Sequence, residues 1–440
     1  ACIVFLGASA MGTTASSLEV GFDGSVSQSS RAADRDSAAV PGVHMVFACH
    51  GMMGDSADML PLLHALQEMR HDTTKVRNGT SAPREQLRFH NILAHEPRSL
   101  WERLTLTTRT GVAHGGTAVA HEILKVLQSN PDVTSISLIG FSLGGIYMRV
   151  AAGLLLPLHP SSKRRPNGSL LAQADPFQRM AQTRAVEFNA YISIATPHVG
   201  VRGYLNPLYA FIMRQGWLGQ VGLDLAWDPP QTWSACAVMP QLCTSTSKTP
   251  FEDAASVLQA PILLQMATPG SVYWRALAAF RSRTAVGNEV RDDSVPYFTA
   301  TLAPEPAWMA SSSAADLGTE RWEVPGGVEG GLDPHFTGAW LQRDIVDPAD
   351  DQAVEAVMQK WAAALRAASG GAQLTPELAQ AASLRAAGGW LTVNARWDDW
   401  FAYFVNHNRI HGHKWLTPWA DCAGFLRVLS RIVAHRLVAK

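Results

Sequence analysis

Apolar positions along the chain fall into short β-rich runs that alternate with helix-period stretches, with glycine turns between many of them. Val43–Cys49 is an apolar run ending at His50-Gly51-Met52-Met53-Gly54-Asp55, and the leucine and methionine spacing of Met59–Met69 suits a helix that buries one face. The rhythm recurs. Phe89–Ala94 reads as a strand, Gly116–Gln128 as a helix, Val133–Ile139 as a strand running into the helical Ser142–Leu156, and Phe188–Ala195 as a further strand. Such alternation predicts an α/β fold with a mostly parallel sheet and helices on both faces.

Two stretches break the rhythm. After Thr196-Pro197-His198-Val199-Gly200 comes a Trp-rich, Pro-interrupted segment, about 201–250, which reads as a lid-like insertion. Helical Ser271–Phe280 and strand-like Arg283–Val290 then resume the pattern. Residues 302–389 form a second, C-terminal insertion with Gly/Pro-rich residues 323–334 and two helices, Asp351–Ala368 and Pro376–Arg385, the latter capped by Thr375 with Pro376 at its first position. Trp400–Val405 reads as a final strand and Asp421–Val438 as an amphipathic helix with Phe425, Leu426, Leu429, Ile432 and Val433 on one side. Residues 1–42, rich in Ser, Ala, Gly and Asp without periodicity, read as a poorly ordered leader, leaving 43–440 as one elaborated domain.

Composition narrows the partners. At 440 residues and 47% hydrophobic the chain can bury a large core, and 36 basic against 37 acidic residues leave no field to attract nucleic acid. No apolar run approaches the ~20 residues of a membrane span. Five cysteines argue against a disulfide framework and for a reducing compartment, so a cytoplasmic location, or one peripheral to intracellular membranes, is expected.

Gly140-Phe141-Ser142-Leu143-Gly144, between a strand and a helix, has the Gly-x-Ser-x-Gly spacing of a nucleophile elbow. A serine hydroxyl is a weak nucleophile, so the spacing calls for an imidazole to take its proton and a carboxylate to orient that imidazole. In the chain order serine, acid, histidine, Asp292 or its neighbour Asp293 fits the acid, at the end of a strand-like run. His407, His411 and His413 compete for the base. His407 sits on the loop that follows the Trp400–Val405 run, from which its ring can drop toward Ser142. Two backbone N–H groups, of Met52 and Leu143, are candidates for an oxyanion hole. A metal site at the three histidines is disfavoured, since no Glu accompanies them and Gly412 weakens a helix there.

These residues carry a resemblance. From about Val43 to Val433 the chain resembles the putative serine esterase family of eukaryotic lipase-like α/β-hydrolases. The matching motifs are His-Gly-Met-Met-Gly-Asp (50–55), Gly-Phe-Ser-Leu-Gly-Gly (140–145), Ile-Ala-Thr-Pro-His-Val-Gly (194–200), Gly-Asn-Glu-Val-Arg-Asp-Asp-Ser-Val-Pro (287–296) and Asn-His-Asn-Arg-Ile (406–410). The resemblance implies an α/β-hydrolase fold, with Ser142 as nucleophile, Asp292 as acid and His407 as base, and no cofactor or metal. The expected reaction is hydrolysis of a carboxylic ester of an apolar acyl group, a lipid among the candidate substrates, with contact to a lipid surface expected. The apolar residues after Gly200, Phe211 and Trp217 among them, are the expected acyl contacts. The same triad would serve acyl transfer or thioester cleavage. A silent binding scaffold of this fold would typically lack a triad member, and here all three residues are present.

Overall fold

The first strand, β1 (Val43–Cys49), shows how the sheet is buried. Val43, Met45, Phe47 and Cys49 join one hydrophobic core and Val46 and Ala48 another, because successive side chains of a strand point to opposite faces. A strand apolar on both faces belongs inside a sheet that is covered twice. Accordingly β1 is paired in parallel on one side with β2 (Gln86–Asn91) and on the other with β3 (Val133–Phe141). The structure, a computed structural model, describes residues 42–52, 54–76, 86–94, 96, 110–162, 175–201, 211, 213, 215, 218–227, 260–289, 292, 294–303, 319–325, 336–344, 351–368, 374–397 and 423–438.

The sheet continues through β4 (Glu187–Ile194) and β5 (Ser282–Asn288). Chain order then gives β6 (Thr319–Pro325), β7 (Phe336–Asp344) and β8 (Trp390–Trp397). The spatial order is β2-β1-β3-β4-β5-β8-β7-β6. The first six are parallel, and β7 and β6 extend the sheet as an antiparallel hairpin against β8.

Helices α1 (Leu60–Val76), α2 (Val112–Ser129), α3 (Leu143–Leu155) and α4 (Pro176–Thr183) alternate with the early strands. The segment from β4 to β5 carries α5 (Gly219–Leu225), α6 (Ile262–Ala267) and α7 (Val272–Ala279). The rest are α8 (Tyr297–Thr301), α9 (Asp351–Ala368), α10 (Pro376–Ala386) and α11 (Ala423–Val438). On one face Leu62, Leu63 and Leu66 of α1 share a core with Phe425, Leu429 and Val433 of α11. On the other, α2 and α3 cross closely because Gly115 and Gly116 leave room for Tyr147 and Val150, which an added Cβ would overlap. The Thr375 hydroxyl caps α10 by accepting the Leu378 N–H at 3.3 Å, with Pro376 in the first turn.

Several boundaries move, for physical reasons. Strand β2 spans Gln86–Asn91 rather than Phe89–Ala94: the register pairs Val43 with Gln86 and Ala48 with Asn91. This is an edge strand of mixed polarity, so hydrophobicity alone misplaces it. Its end is tied to α2, where Glu122 accepts His90 Nε2 at 2.8 Å and the Leu93 N–H at 3.0 Å. Burial would raise the Glu122 carboxyl, but these partners outweigh it and hold it below its ordinary value. Helix α2 begins at Val112, four residues before the expected Gly116, because the Asp224 carboxylate of α5 accepts the Val112 N–H at 2.7 Å. The stretch 302–389 contributes more than two helices. It supplies β6 and β7 to the sheet, and Met358, Trp361, Leu378 and Leu384 to the larger core. Strand β8 (Trp390–Trp397) lies ahead of the histidine segment; the expected strand Trp400–Val405 and residues 1–41 of the expected leader lie outside the described residues.

Candidate active site

Strand order marks a switch point. From β1 the chain passes to β2 on one side and then to β3 on the other, so the crossovers diverge between β1 and β3, and it is outside the carboxyl ends of strands at such a point that open α/β sheets bind ligands. Two of the sequence's candidate segments meet there: His50-Gly51-Met52 leaves β1 and Ser142-Leu143 leaves β3, with Cys49 and Gly140 paired in register.

Ser142 adopts φ 51° and ψ −126°, a left-sided backbone conformation that costs a residue with a Cβ about 1–3 kcal/mol. The surroundings hold it there. Its N–H donates to Ile194 O at 2.7 Å and its carbonyl accepts the Gly145 N–H at 3.1 Å. Side chains at the flanking positions would not fit: a Cβ on Gly140 would overlap the Gly145 backbone, and one on Gly144 the carbonyls of Cys49 and His50. The glycine spacing is therefore explained by contact. Leu143 opens α3, so its N–H has no acceptor within the helix and is directed out of the helix N-terminus. Gly51 completes the crowding, since a Cβ there would lie 2.9 Å from Ser142 Cβ.

The acid candidate is built as carefully. Asp292 follows β5 and is 9% exposed. Its Oδ1 accepts the N–H groups of Ser294 (3.0 Å) and Val295 (2.9 Å), while Oδ2 accepts Asn288 Nδ2 at 2.8 Å. Three donors fix the carboxylate plane. Asn288 was not singled out by sequence reasoning; its place at the end of β5, four residues before the acid, was the available signal. Asp293, His407, His411 and His413 lie outside the described residues. The chain does leave β8 beside the acid's strand, because Asn288 pairs with Ala395 and Glu289 N–H donates to Ala395 O at 2.9 Å. Of the expected acyl contacts, Phe211 is 53% exposed and Trp217 lies outside the described residues, while nearby Met213 is buried.

Beneath the elbow lies a buried polar group that the sequence did not announce. His198 Nε2 is 2.8 Å from Ser193 Oγ, and Arg149 Nη1 donates to His198 O at 3.0 Å and approaches Nδ1 at 3.4 Å. Since Arg149 can only donate, Nδ1 accepts and Nε2 carries the proton. Burial, reinforced by the charges of Arg149 and Arg385, holds His198 well below the ordinary imidazole value. Burial likewise draws the Arg149 guanidinium down to about 10, partly opposed by Tyr191. The turn that carries His198 links the elbow to the acid's side. An added Cβ on Gly145 would overlap Thr196, and the His198 N–H donates to Thr299 O of α8 at 3.0 Å.

The sign of the resulting pH dependence follows. An unfolded imidazole titrates near ~6.5 and the folded His198 only well below that. Below ~6.5 the unfolded chain therefore binds the extra proton, and stability falls as pH drops, by up to about 1.4 kcal/mol per pH unit, until the depressed folded value is reached. Urea midpoints at pH 7 and pH 5 should differ less in His198→Gln than in the native chain; an equal difference in both would assign the effect to other groups.

The doubly covered, mainly parallel sheet, with a serine on a strained strand-to-helix turn, defines an α/β-hydrolase fold. Residues 40–305 match the putative serine esterase family, and the chain belongs to that family. A search of curated proteins found no match. The matched span includes the elbow and Asp292 and ends ahead of β6, so the Asn-His-Asn-Arg-Ile motif around His407 lies beyond it. Among the described residues no group of three or more His, Cys, Asp or Glu side chains could hold a metal ion. No described helix is long and apolar enough to cross a membrane.

Proposed function

We propose that the chain hydrolyses carboxylic esters of apolar acyl groups through an acyl-enzyme on Ser142. The single observation that carries this reading is the strained Ser142 backbone, held at the switch point by glycines that admit no side chain. Strain of this kind persists where the surrounding structure over-determines it, and here it raises one hydroxyl at a helix N-terminus.

In the proposed reaction the Ser142 Oγ–H bond breaks as its proton passes to His407, and Oγ bonds to the ester carbon. The carbonyl oxygen gains the negative charge and is met by the N–H groups of Met52 and Leu143. Collapse expels the alkoxide, which takes the proton from the imidazolium. Water then repeats the sequence on the acyl-enzyme and releases the carboxylic acid. Asp292, its plane set by Ser294, Val295 and Asn288, would hold the imidazole in the tautomer that accepts the serine proton.

The segment after Gly200 is proposed to contact the acyl chain. Support comes from Phe211, a large apolar side chain left 53% exposed close to a buried Met213. A ladder of p-nitrophenyl esters from acetyl to long-chain tests this. Turnover should favour longer chains, and Phe211→Ala should lower long-chain kcat/KM by about 10-fold, the scale of one lost apolar contact, with little change for acetyl ester. Equal losses at both ends of the ladder would remove Phe211 from the acyl site.

A further inference from the structure

His50 is 1% exposed, and only one of its ring nitrogens has work among the described residues. Nδ1 lies 2.9 Å from Gly51 O. A carbonyl oxygen only accepts, so Nδ1 carries the proton and donates it. The same oxygen also accepts the Gly54 N–H at 3.3 Å. Nε2 is buried and has no hydrogen-bond partner among the described residues.

The bonded carbonyl belongs to the peptide that joins Gly51 to Met52. In a trans peptide the C=O and N–H point in opposite directions across one rigid plane, so fixing Gly51 O also fixes the direction of the Met52 N–H. No described peptide bond is cis. Glycine on one side makes rotation of this plane inexpensive, because no Cβ opposes it. A Cβ added to Gly51 would meet Ser142 Cβ and the Phe141 ring, so the peptide starts beside the elbow.

We infer that His50 is a positioning residue for the oxyanion hole, its Nδ1–H holding the Gly51–Met52 peptide in the one orientation that turns the Met52 N–H to the developing charge. The inference rests on the ester-hydrolase reading above. It assigns His50 no proton transfer and no contact with substrate.

The test compares His50→Leu, which removes the donor, with His50→Asn, whose amide Nδ2 sits close to the position of Nδ1. Each is assayed on an ester and on its thiono counterpart, in which sulfur replaces the carbonyl oxygen. Sulfur is larger and a weaker acceptor, so an intact oxyanion hole discriminates strongly for the oxygen ester. His50→Leu should lower kcat by on the order of 10²-fold, with KM little changed, the scale of one lost oxyanion donor. Its preference for oxygen over sulfur should shrink in parallel, and His50→Asn should recover most of both.

If His50→Leu does not fold, His50→Gln, whose longer amide matches Nε2 and cannot reach Gly51 O, takes its place in the comparison. A kcat loss with an unchanged oxygen-to-sulfur ratio, no loss at all, or an Asn variant no better than Leu would overturn the inference while leaving ester hydrolysis standing. An absence of Ser142-dependent turnover in the native chain would instead overturn the underlying reading, and the inference with it.

Discussion

Ser142→Ala is expected to abolish ester hydrolysis while leaving the fold intact, with kcat falling by on the order of 10⁶-fold, as when the nucleophile of a serine hydrolase is removed. Alanine adds no bulk beside Gly51 and carries the same Cβ into the same strained backbone, so the elbow is neither relieved nor crowded. Initial rates on a short ester measure the first expectation and the urea midpoint the second. A variant that is folded and still active would remove the acyl-enzyme from the account.

The second large effect concerns the base and its acid. His407→Ala is expected to lose activity by four or more orders of magnitude, roughly as for other triads, while His411→Ala and His413→Ala keep most of theirs. Asp292→Asn should lower kcat by on the order of 10⁴, because an amide favours the wrong imidazole tautomer. Asp293→Asn should be nearly neutral, since it is Asp292 that the Ser294 and Val295 N–H groups and the Asn288 amide orient. These five variants, measured under one set of conditions, separate the proposed base and acid from their sequence neighbours. Loss of activity in His411→Ala or His413→Ala, with His407→Ala active, would move the base.

Much of the fold was legible because hydrophobic burial writes directly into period. β1 and β3 place apolar side chains on both faces and read as apolar-rich runs broken only by His44 in one and Thr134, Ser135 and Ser137 in the other, and the paired covering of α1 and α11 follows from their one-sided apolar residues. The elbow was legible for a different reason. Contact with neighbouring backbone excludes any side chain at Gly140 and Gly144, and that leaves a fixed spacing in the sequence.

What stayed hidden depends on partners far away along the chain. The position of β2 is set by its register against β1, not by its own hydrophobicity, and the start of α2 by a carboxylate 112 residues on. β6 and β7 form an edge hairpin whose mixed polarity gave no clean alternation. Arg149 and His198 are 49 residues apart, and a buried cation on a helix face has no local signature. The site divides in the same way: Ser142 could be read from spacing, whereas the choice of Asp292 gains its physical support from three donors that only the folded chain assembles.

The central claim is that Ser142 is an activated nucleophile, and the most direct measurement is labelling with a fluorophosphonate, followed by mass spectrometry of the modified peptide. The phosphorus is attacked by an activated serine oxygen and fluoride leaves, so the reaction reports nucleophilicity without requiring the natural ester. The account predicts stoichiometric label on the peptide carrying Ser142, greatly slowed in His407→Ala and absent in Ser142→Ala. Native, folded protein that takes up no label, or that is labelled equally well after Ser142→Ala, would contradict it.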